Sequence, residues 1–253
     1  KFIETSTLLI FCCLFSFAGF PQKHAAPVIP DLEPFGVEVV VTRNSVNVDG
    51  KRIDYTAHTG YLNLKNDTGK LIAKVFFTYY KKDGEEAGKR PVTFAFNGGP
   101  GSSSVWLHIG GLGPKRVLLQ DDGTATAPPY QYINNEYTWL NKTDLVFIDP
   151  VSTGFSRAAA GESPKQFHGY VEDLSSMGSF IRHFLSRYER WSSPKYLAGE
   201  SYGTTRAAGL SKFLQDRYRI FLNVIFLISA VINFGTHDYY VCHELPRASY
   251  LPP

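Results

Sequence analysis

A serine stands between two glycines at residues 199–203, where the sequence reads Gly-Glu-Ser-Tyr-Gly. This spacing is typical of a nucleophile elbow, a sharp strand-to-helix turn whose glycines leave room for neighbouring backbone. The flanks agree with that interpretation, because 195–198 is strand-like and 204–215 carries apolar residues at helical spacing. The pattern predicts Ser201 as a nucleophile for acyl transfer, although such pentapeptides also arise by chance in glycine- and serine-rich loops.

A second segment, 97–104, reads Asn-Gly-Gly-Pro-Gly-Ser-Ser-Ser and follows the apolar run 92–96. Attack by a serine on a carbonyl creates an oxyanion, which needs backbone N–H donors beside the nucleophile and on a glycine-rich loop. Tyr202 and Gly99 are the expected donors. A tight turn or a phosphate-binding loop is the alternative, but no lysine follows the last glycine and Pro100 removes one donor.

With both segments in view, the chain resembles the serine carboxypeptidase family, whose members carry these two motifs in this order. Segments 59–62, 149–156 and 172–174 are similar to the family's intervening blocks, so the resemblance covers about residues 35–235. It implies a doubly wound, mixed α/β-hydrolase sheet, here incomplete at the C-terminus. It also implies a serine-type carboxypeptidase that releases C-terminal residues from peptides through an acyl-enzyme, without a cofactor or a metal.

The resemblance further implies which residues bind the free carboxylate of the substrate: Asn97, Gly98 and Glu200. An amide side chain and a backbone N–H can donate to a carboxylate. A glutamate can join them only when it carries a proton, because two carboxylates at hydrogen-bond distance repel each other. We therefore expect better substrate binding in mild acid.

The general base and its orienting carboxylate are expected after the nucleophile, in the order Ser, Asp, His. In the family both lie far beyond the distance from Ser201 to Pro253, so neither is expected in this sequence. The nearby His237, Asp238 and His243 are poor substitutes, because adjacent residues do not easily form a base and its orienter. His108 precedes the serine and is also not expected to be the base.

Three functions remain open from the sequence: the carboxypeptidase, an acyltransferase or esterase on the same scaffold, and a catalytically inactive peptide-binding fragment. Asn97 and Glu200 favour a peptide carboxylate over a simple ester. The missing base favours the inactive fragment for these 253 residues alone.

The composition is that of a globular protein, with 43% hydrophobic and 19% charged residues. A net charge of +3 without a run of Lys and Arg argues against nucleic-acid binding. The mixed charges of 81–90 predict a hairpin tip. No stable membrane span is expected, and the oligomeric state is open.

Residues 1–20 predict a secretory signal peptide and 21–34 a Pro-rich linker, ahead of a partial domain over 35–253. The protein is therefore expected to be secreted or periplasmic. Once the signal is removed Cys242 is the only cysteine, and a secreted relative without disulfides is expected to be closer to the family's bacterial branch.

Alternation of element types predicts the fold class. Early strands are expected at 37–41, 60–63 and 71–80, with the last two joined by 67–69, and central strands at 92–96 and 145–148. Apolar residues at helical spacing predict a helix within 166–191, and 226–231 predicts a further strand.

Overall fold

The computed structural model describes residues 39–231. The signal peptide and linker expected for residues 1–34, and the residues His237, Asp238 and His243, lie outside this range.

The described chain forms an eight-stranded mixed sheet and a small two-stranded sheet. Three helices and three short turns of helix connect the strands. The main-sheet strands are β1 (Val39–Val48), β2 (Lys51–Lys65), β3 (Leu71–Lys82), β4 (Val92–Phe96), β7 (Asp144–Ile148), β8 (Arg157–Ala158), β9 (Lys195–Glu200) and β10 (Val224–Ile228). The small sheet pairs β5 (Lys115–Val117) with β6 (Tyr132–Asn134). The α-helices are α1 (Val105–Leu107), α2 (Tyr170–Arg187) and α3 (Tyr202–Tyr218), and a π-helical turn (His108–Leu112) continues α1.

The strand order of the main sheet is β1-β2-β3-β7-β4-β9-β10, with β8 paired to β3. The pairs β1–β2, β2–β3 and β3–β7 are antiparallel, whereas β7, β4, β9 and β10 are mutually parallel. The central parallel strands are buried, as expected where both faces of a sheet are covered: every residue of β4 and β7 is buried, whereas β10 at the edge is largely exposed.

The sheet separates two hydrophobic clusters. One lies under α2 and α3 and contains Phe77, Phe94 and Phe184, while the other lies on the opposite face and contains Tyr55, Leu140 and Phe147. Helix α2 buries residues at helical spacing. The alternation of strands and helices predicted from the sequence is therefore confirmed.

Two details differ from the sequence-based expectation. Strand β2 begins at Lys51, well before the expected strand at 60–63, and its residues 51–60 pair with the whole of β1. Segment 81–90 is not a hairpin tip, because β7 lies between β3 and β4 in the sheet. At its end, Arg90 donates from Nε to Asp144 of β7 at 2.7 Å, while Lys82 pairs with Glu85 and Lys89 with Glu86.

The three parallel strands β4, β7 and β9 all end at one edge of the sheet. The glycine-rich loop follows β4, the loop that begins at Asp149 follows β7, and Ser201 follows β9. The parallel register thus brings together segments that are far apart in sequence, as expected for sites at the carboxyl ends of such strands.

Candidate active site

Ser201 occupies the turn between β9 and α3, as the elbow motif predicted. Its backbone has φ 56° and ψ −125°, a conformation that costs a non-glycine residue free energy. Hydrogen bonds hold it in place: the Ser201 N–H donates to the carbonyl of Ile228 at 3.0 Å, and the Ser201 carbonyl accepts from the Thr204 N–H at 2.9 Å and from the Thr204 hydroxyl at 2.6 Å. The side chain is partly exposed at the sheet edge.

Glycines allow the elbow and the glycine-rich loop to touch. A Cβ on Gly203 would lie 2.8 Å from the carbonyl oxygen of Phe96, and a Cβ on Gly98 would lie 2.8 Å from the carbonyl oxygen of Glu200 and overlap the backbone nitrogen of Tyr202. Real Cβ atoms do not approach backbone this closely. The two segments therefore cross without side chains between them.

Asn97 and Glu200 meet across this crossing. The Asn97 Nδ2 donates to Glu200 Oε2 at 2.9 Å, and Asn97 Oδ1 accepts from the Leu107 N–H at 3.0 Å. The second bond sets the orientation of the amide, because only its oxygen can accept from an N–H. Asn97 is fully buried, whereas Glu200 is partly exposed.

The two expected oxyanion donors belong to the glycine-rich loop and to the start of α3. Gly99 is exposed and has φ +108°, which turns the loop above the sheet edge. Tyr202 is the first residue of α3, and backbone N–H groups at a helix N-terminus face negative charge favourably. The structure thus brings Asn97, Gly98, Gly99, Glu200 and Tyr202 to one place.

Arg206 lies next to these site residues, although no sequence motif marks it. Its guanidinium donates from Nε to Asp173 Oδ2 at 2.8 Å and from Nη1 to the Asn97 carbonyl at 2.8 Å. It also lies 5.3 Å from the ring centroids of both Phe96 and Tyr202. One signal was available in the sequence, since an arginine at position 206 stands on the apolar face of α3, between Gly203 and Leu210.

Asp149 holds the other end of the glycine-rich loop. Its Oδ1 accepts from the Ser104 N–H at 2.9 Å, and Oδ2 accepts from the Phe155 N–H at 3.3 Å. Burial raises the pKa of the Asp149 carboxyl, and the two backbone donors oppose that shift. Asp149 therefore ends its strand as expected and also connects two loops of the site.

A cavity of about 320 Å³ opens beside the elbow. Its walls include Gly101 of the glycine-rich loop, Val151, His168, Tyr202 and Arg206. Polar and apolar groups both face it. The cavity is large enough to hold an amino-acid side chain next to Tyr202, the residue after Ser201.

The four histidines in the described range have other neighbours than Ser201. His108 Nε2 lies 2.6 Å from the Tyr80 hydroxyl, and burial lowers the pKa of His108 to about 4. His168 Nε2 contacts the Ser152 hydroxyl at 3.0 Å, His58 stacks on a tyrosine, and His183 contacts an arginine. No histidine of residues 39–231 is hydrogen-bonded to Ser201.

Within residues 39–231 there is no group of three His, Cys, Asp or Glu side chains that could hold a metal ion. None of the helices in that range has both the length and the apolar character needed to cross a bilayer.

Residues 47–236 match the family model for serine carboxypeptidases. Among curated relatives, the chain is 26% identical over 86% of its length to serine carboxypeptidase-like 40 of Arabidopsis thaliana and covers 44% of that protein. It is 31% identical over 63% of its length to the pheromone-processing carboxypeptidase kex1 of Penicillium rubens and covers 24% of that protein. The chain thus spans less than half the length of these relatives. They are plant and fungal proteins, so the expected closeness to the bacterial branch is not supported.

The prohormone-processing carboxypeptidase Kex1 of Saccharomyces cerevisiae has a similar solved structure, with a TM-score of 0.58 at 23% identity. The match covers 72% of this chain and 40% of that one. This likeness confirms the α/β-hydrolase fold expected from the sequence. Because the family model covers most of the chain, including both loops that meet at Ser201, the chain belongs to the serine carboxypeptidase family.

Proposed function

We propose that this protein is a serine-type carboxypeptidase in which Ser201 attacks the last peptide bond of a substrate. The hydrogen bond between Asn97 and Glu200 carries this proposal, because it joins an amide and a carboxyl group beside the elbow, where a substrate carboxylate can be recognised. Family membership supports the same reaction class.

In the proposed reaction, Ser201 Oγ bonds to the substrate carbonyl carbon and loses its proton to a base. The N–H groups of Gly99 and Tyr202 stabilise the resulting oxyanion. Collapse of the intermediate breaks the C–N bond, and the protonated amine leaves as the released C-terminal residue. Water then hydrolyses the acyl-enzyme by the same route.

The terminal carboxylate would bind at Gly98, Asn97 and Glu200. Asn97 Nδ2 already donates one hydrogen to Glu200, so in this proposal a substrate carboxylate accepts its second hydrogen. A protonated Glu200 can donate as well, whereas an ionised Glu200 would repel the substrate. The Asn97 contact orients Glu200 for this role.

The base and its orienting carboxylate are proposed to lie in a part of the family domain that these 253 residues do not cover, since the matches cover only 44% and 24% of the two relatives. The 253 residues alone should then bind peptides without hydrolysing them. A fluorophosphonate probe tests this, and stoichiometric labelling of Ser201 in the isolated chain would contradict it.

The test of the main proposal uses the full-length protein with a blocked dipeptide, its C-terminal amide and its ethyl ester. We expect kcat/KM to be about 100-fold higher for the free carboxylate than for the amide, because two or three charge-assisted hydrogen bonds are lost with the amide. Equal rates on the dipeptide and the amide would reject a carboxypeptidase. Hydrolysis of the ester alone would favour the esterase or acyltransferase alternative.

Glu200→Gln provides a second test. The wild-type kcat/KM should be highest in mild acid and fall as the pH rises, because two ionised carboxylates repel each other, whereas the neutral glutamine should remove that fall. The matched control is Glu86→Gln, because Glu86 is 66% exposed and pairs with Lys89 before β4, at the opposite end of the sheet. A flat wild-type profile, or the same fall in Glu200→Gln, would contradict the assigned role.

The proposed localisation remains secreted or periplasmic, on the basis of the apolar N-terminal segment. The proposed binding partners are the C-termini of peptides and proteins.

A further inference from the structure

We propose that Arg206, held in place by Asp173, is a positioning residue that aligns the backbone donors of the glycine-rich loop with those of the elbow. This inference rests on the proposed roles of Ser201 and its oxyanion donors. Arg206 does not touch the substrate carbonyl in the proposal and acts through the backbone that it holds.

The first contact fixes the start of the loop. Arg206 Nη1 donates to the Asn97 carbonyl at 2.8 Å. A trans peptide is planar, and its C=O and N–H point in opposite directions. Drawing the Asn97 carbonyl down to Arg206 therefore turns the Gly98 N–H away from it. The same restraint limits where the next donor, on Gly99, can lie.

The second contact fixes the elbow side. The guanidinium lies 5.3 Å from the Tyr202 ring centroid and 5.3 Å from that of Phe96. These rings belong to the residue after the nucleophile and to the last residue of β4. One flat cation thus contacts both segments that must meet at Ser201, at distances where cation–π attraction is effective.

Asp173 keeps the guanidinium in this orientation. Arg206 and Asp173 have side-chain exposures of only 2% and 11%, and their Nε–Oδ2 distance is 2.8 Å. Burial raises the pKa of the Asp173 carboxyl, and the adjacent Arg206 opposes that rise. An uncompensated arginine would be costly at this depth, so the carboxylate is needed for Arg206 to serve as a fixed donor.

An arginine suits this position for a geometric reason. Its planar fork donates to Asp173 and to the Asn97 carbonyl at once while its face lies against an aromatic ring. A lysine has a single charged nitrogen and no flat face, so it can keep the charge but not all of these contacts together.

The experiment compares Arg206→Gln and Arg206→Lys with wild type in the full-length protein. Each protein is assayed on the ethyl ester, on the blocked dipeptide and on its C-terminal amide. We expect Arg206→Gln to lower kcat on the ester by about 10- to 100-fold, because an ångström-scale displacement of catalytic groups has an effect of that size. The preference for free carboxylate over amide should fall as well, since the Gly98 N–H is displaced. Arg206→Lys should be intermediate in both.

Arg217→Gln is the matched control, because Arg217 is an exposed arginine in the last turn of the same helix. Its kcat and its carboxylate preference should equal those of wild type. Thermal unfolding of each variant shows whether it is folded. If Arg206→Gln does not fold, the comparison with wild type is made with Arg206→Lys.

A folded Arg206→Gln or Arg206→Lys whose ester kcat and carboxylate preference stay within twofold of wild type would overturn the inference. A merely structural role would lower the unfolding temperature and leave both readouts unchanged. If the wild type hydrolyses the ester but not the dipeptide, the carboxypeptidase proposal fails. A slower ester reaction in Arg206→Gln would still support the positioning role.

Discussion

Replacing Asp144 by asparagine would leave two buried guanidinium groups without the carboxylate they share. Asp144 Oδ1 accepts from Arg90 Nε at 2.7 Å and from the Lys82 N–H at 3.0 Å, while Oδ2 accepts from Arg190 Nη1. The side chains of Asp144, Arg90 and Arg190 are 1%, 5% and 0% exposed. The three residues join β7, the start of β4 and the turn before β9 at the sheet end opposite Ser201.

The expected loss of stability follows from the hydrogen bonds that Asp144 accepts. Both carboxylate oxygens accept from N–H groups, so an asparagine would direct its own NH2 at a donor in either orientation. Removing one partner of a buried ion pair costs about 3–5 kcal/mol. We expect Asp144→Asn to lower the free energy of unfolding by about 4 kcal/mol, a large share of the roughly 5–15 kcal/mol that is typical of a folded domain. The corresponding fall in Tm is about 10 °C.

The measurement is urea unfolding and thermal unfolding of the full-length protein, with Asp54→Asn as the matched control. Asp54 pairs with Arg52 at 2.8 Å, but the two side chains are 58% and 69% exposed, so its loss should cost less than about 1 kcal/mol. An Asp144→Asn protein within about 1 kcal/mol of wild type would refute the reasoning that this carboxylate compensates two buried cations.

Two further changes test other parts of the structure. Gly203→Ala places a Cβ 2.8 Å from the Phe96 carbonyl oxygen. We expect this substitution to separate the elbow from the glycine-rich loop and to lower kcat by at least about 10-fold. An unchanged kcat would show that the backbone shifts to accept the methyl group without disturbing the site. The pKa of His108 is lowered from 6.5 to about 4 by burial, so the folded state binds fewer protons than the unfolded state between these values. The free energy of unfolding should therefore fall by up to about 3 kcal/mol as the pH drops from 6.5 to 4. Urea unfolding against pH measures this, and His108→Gln should lack that part of the pH dependence.

Much of the fold was predictable because its signals are local. The buried runs that became β4 and β7 are mostly apolar, and the apolar residues of α2 recur at helical spacing. The order of strands was not predictable from residues 81–90, because a charged, turn-rich segment can close a hairpin or lead to a distant strand. The insertion of β7 between β3 and β4 depends on pairing that no single segment specifies.

The candidate site likewise contains residues that the sequence predicted and residues that it did not. Its glycines and Ser201 could be recognised because backbone crowding at a sharp turn restricts which residues fit, and that restriction is visible as a short motif. Arg206, Asp173 and Asp149 could not be given positioning roles, because their partners are 109, 33 and 45 residues away. Charged side chains at such separations have no preferred spacing in sequence.

The sequence by itself predicted the candidate nucleophile and indicated the family, since the residues that make the elbow and the glycine-rich loop are constrained by local backbone geometry. The tertiary structure decided which groups meet. Parallel register carries the ends of β4, β7 and β9 to one edge, where Asn97 reaches Glu200 and Arg206 reaches the Asn97 carbonyl. These contacts depend on burial and on sheet order, and both exist only in the folded chain.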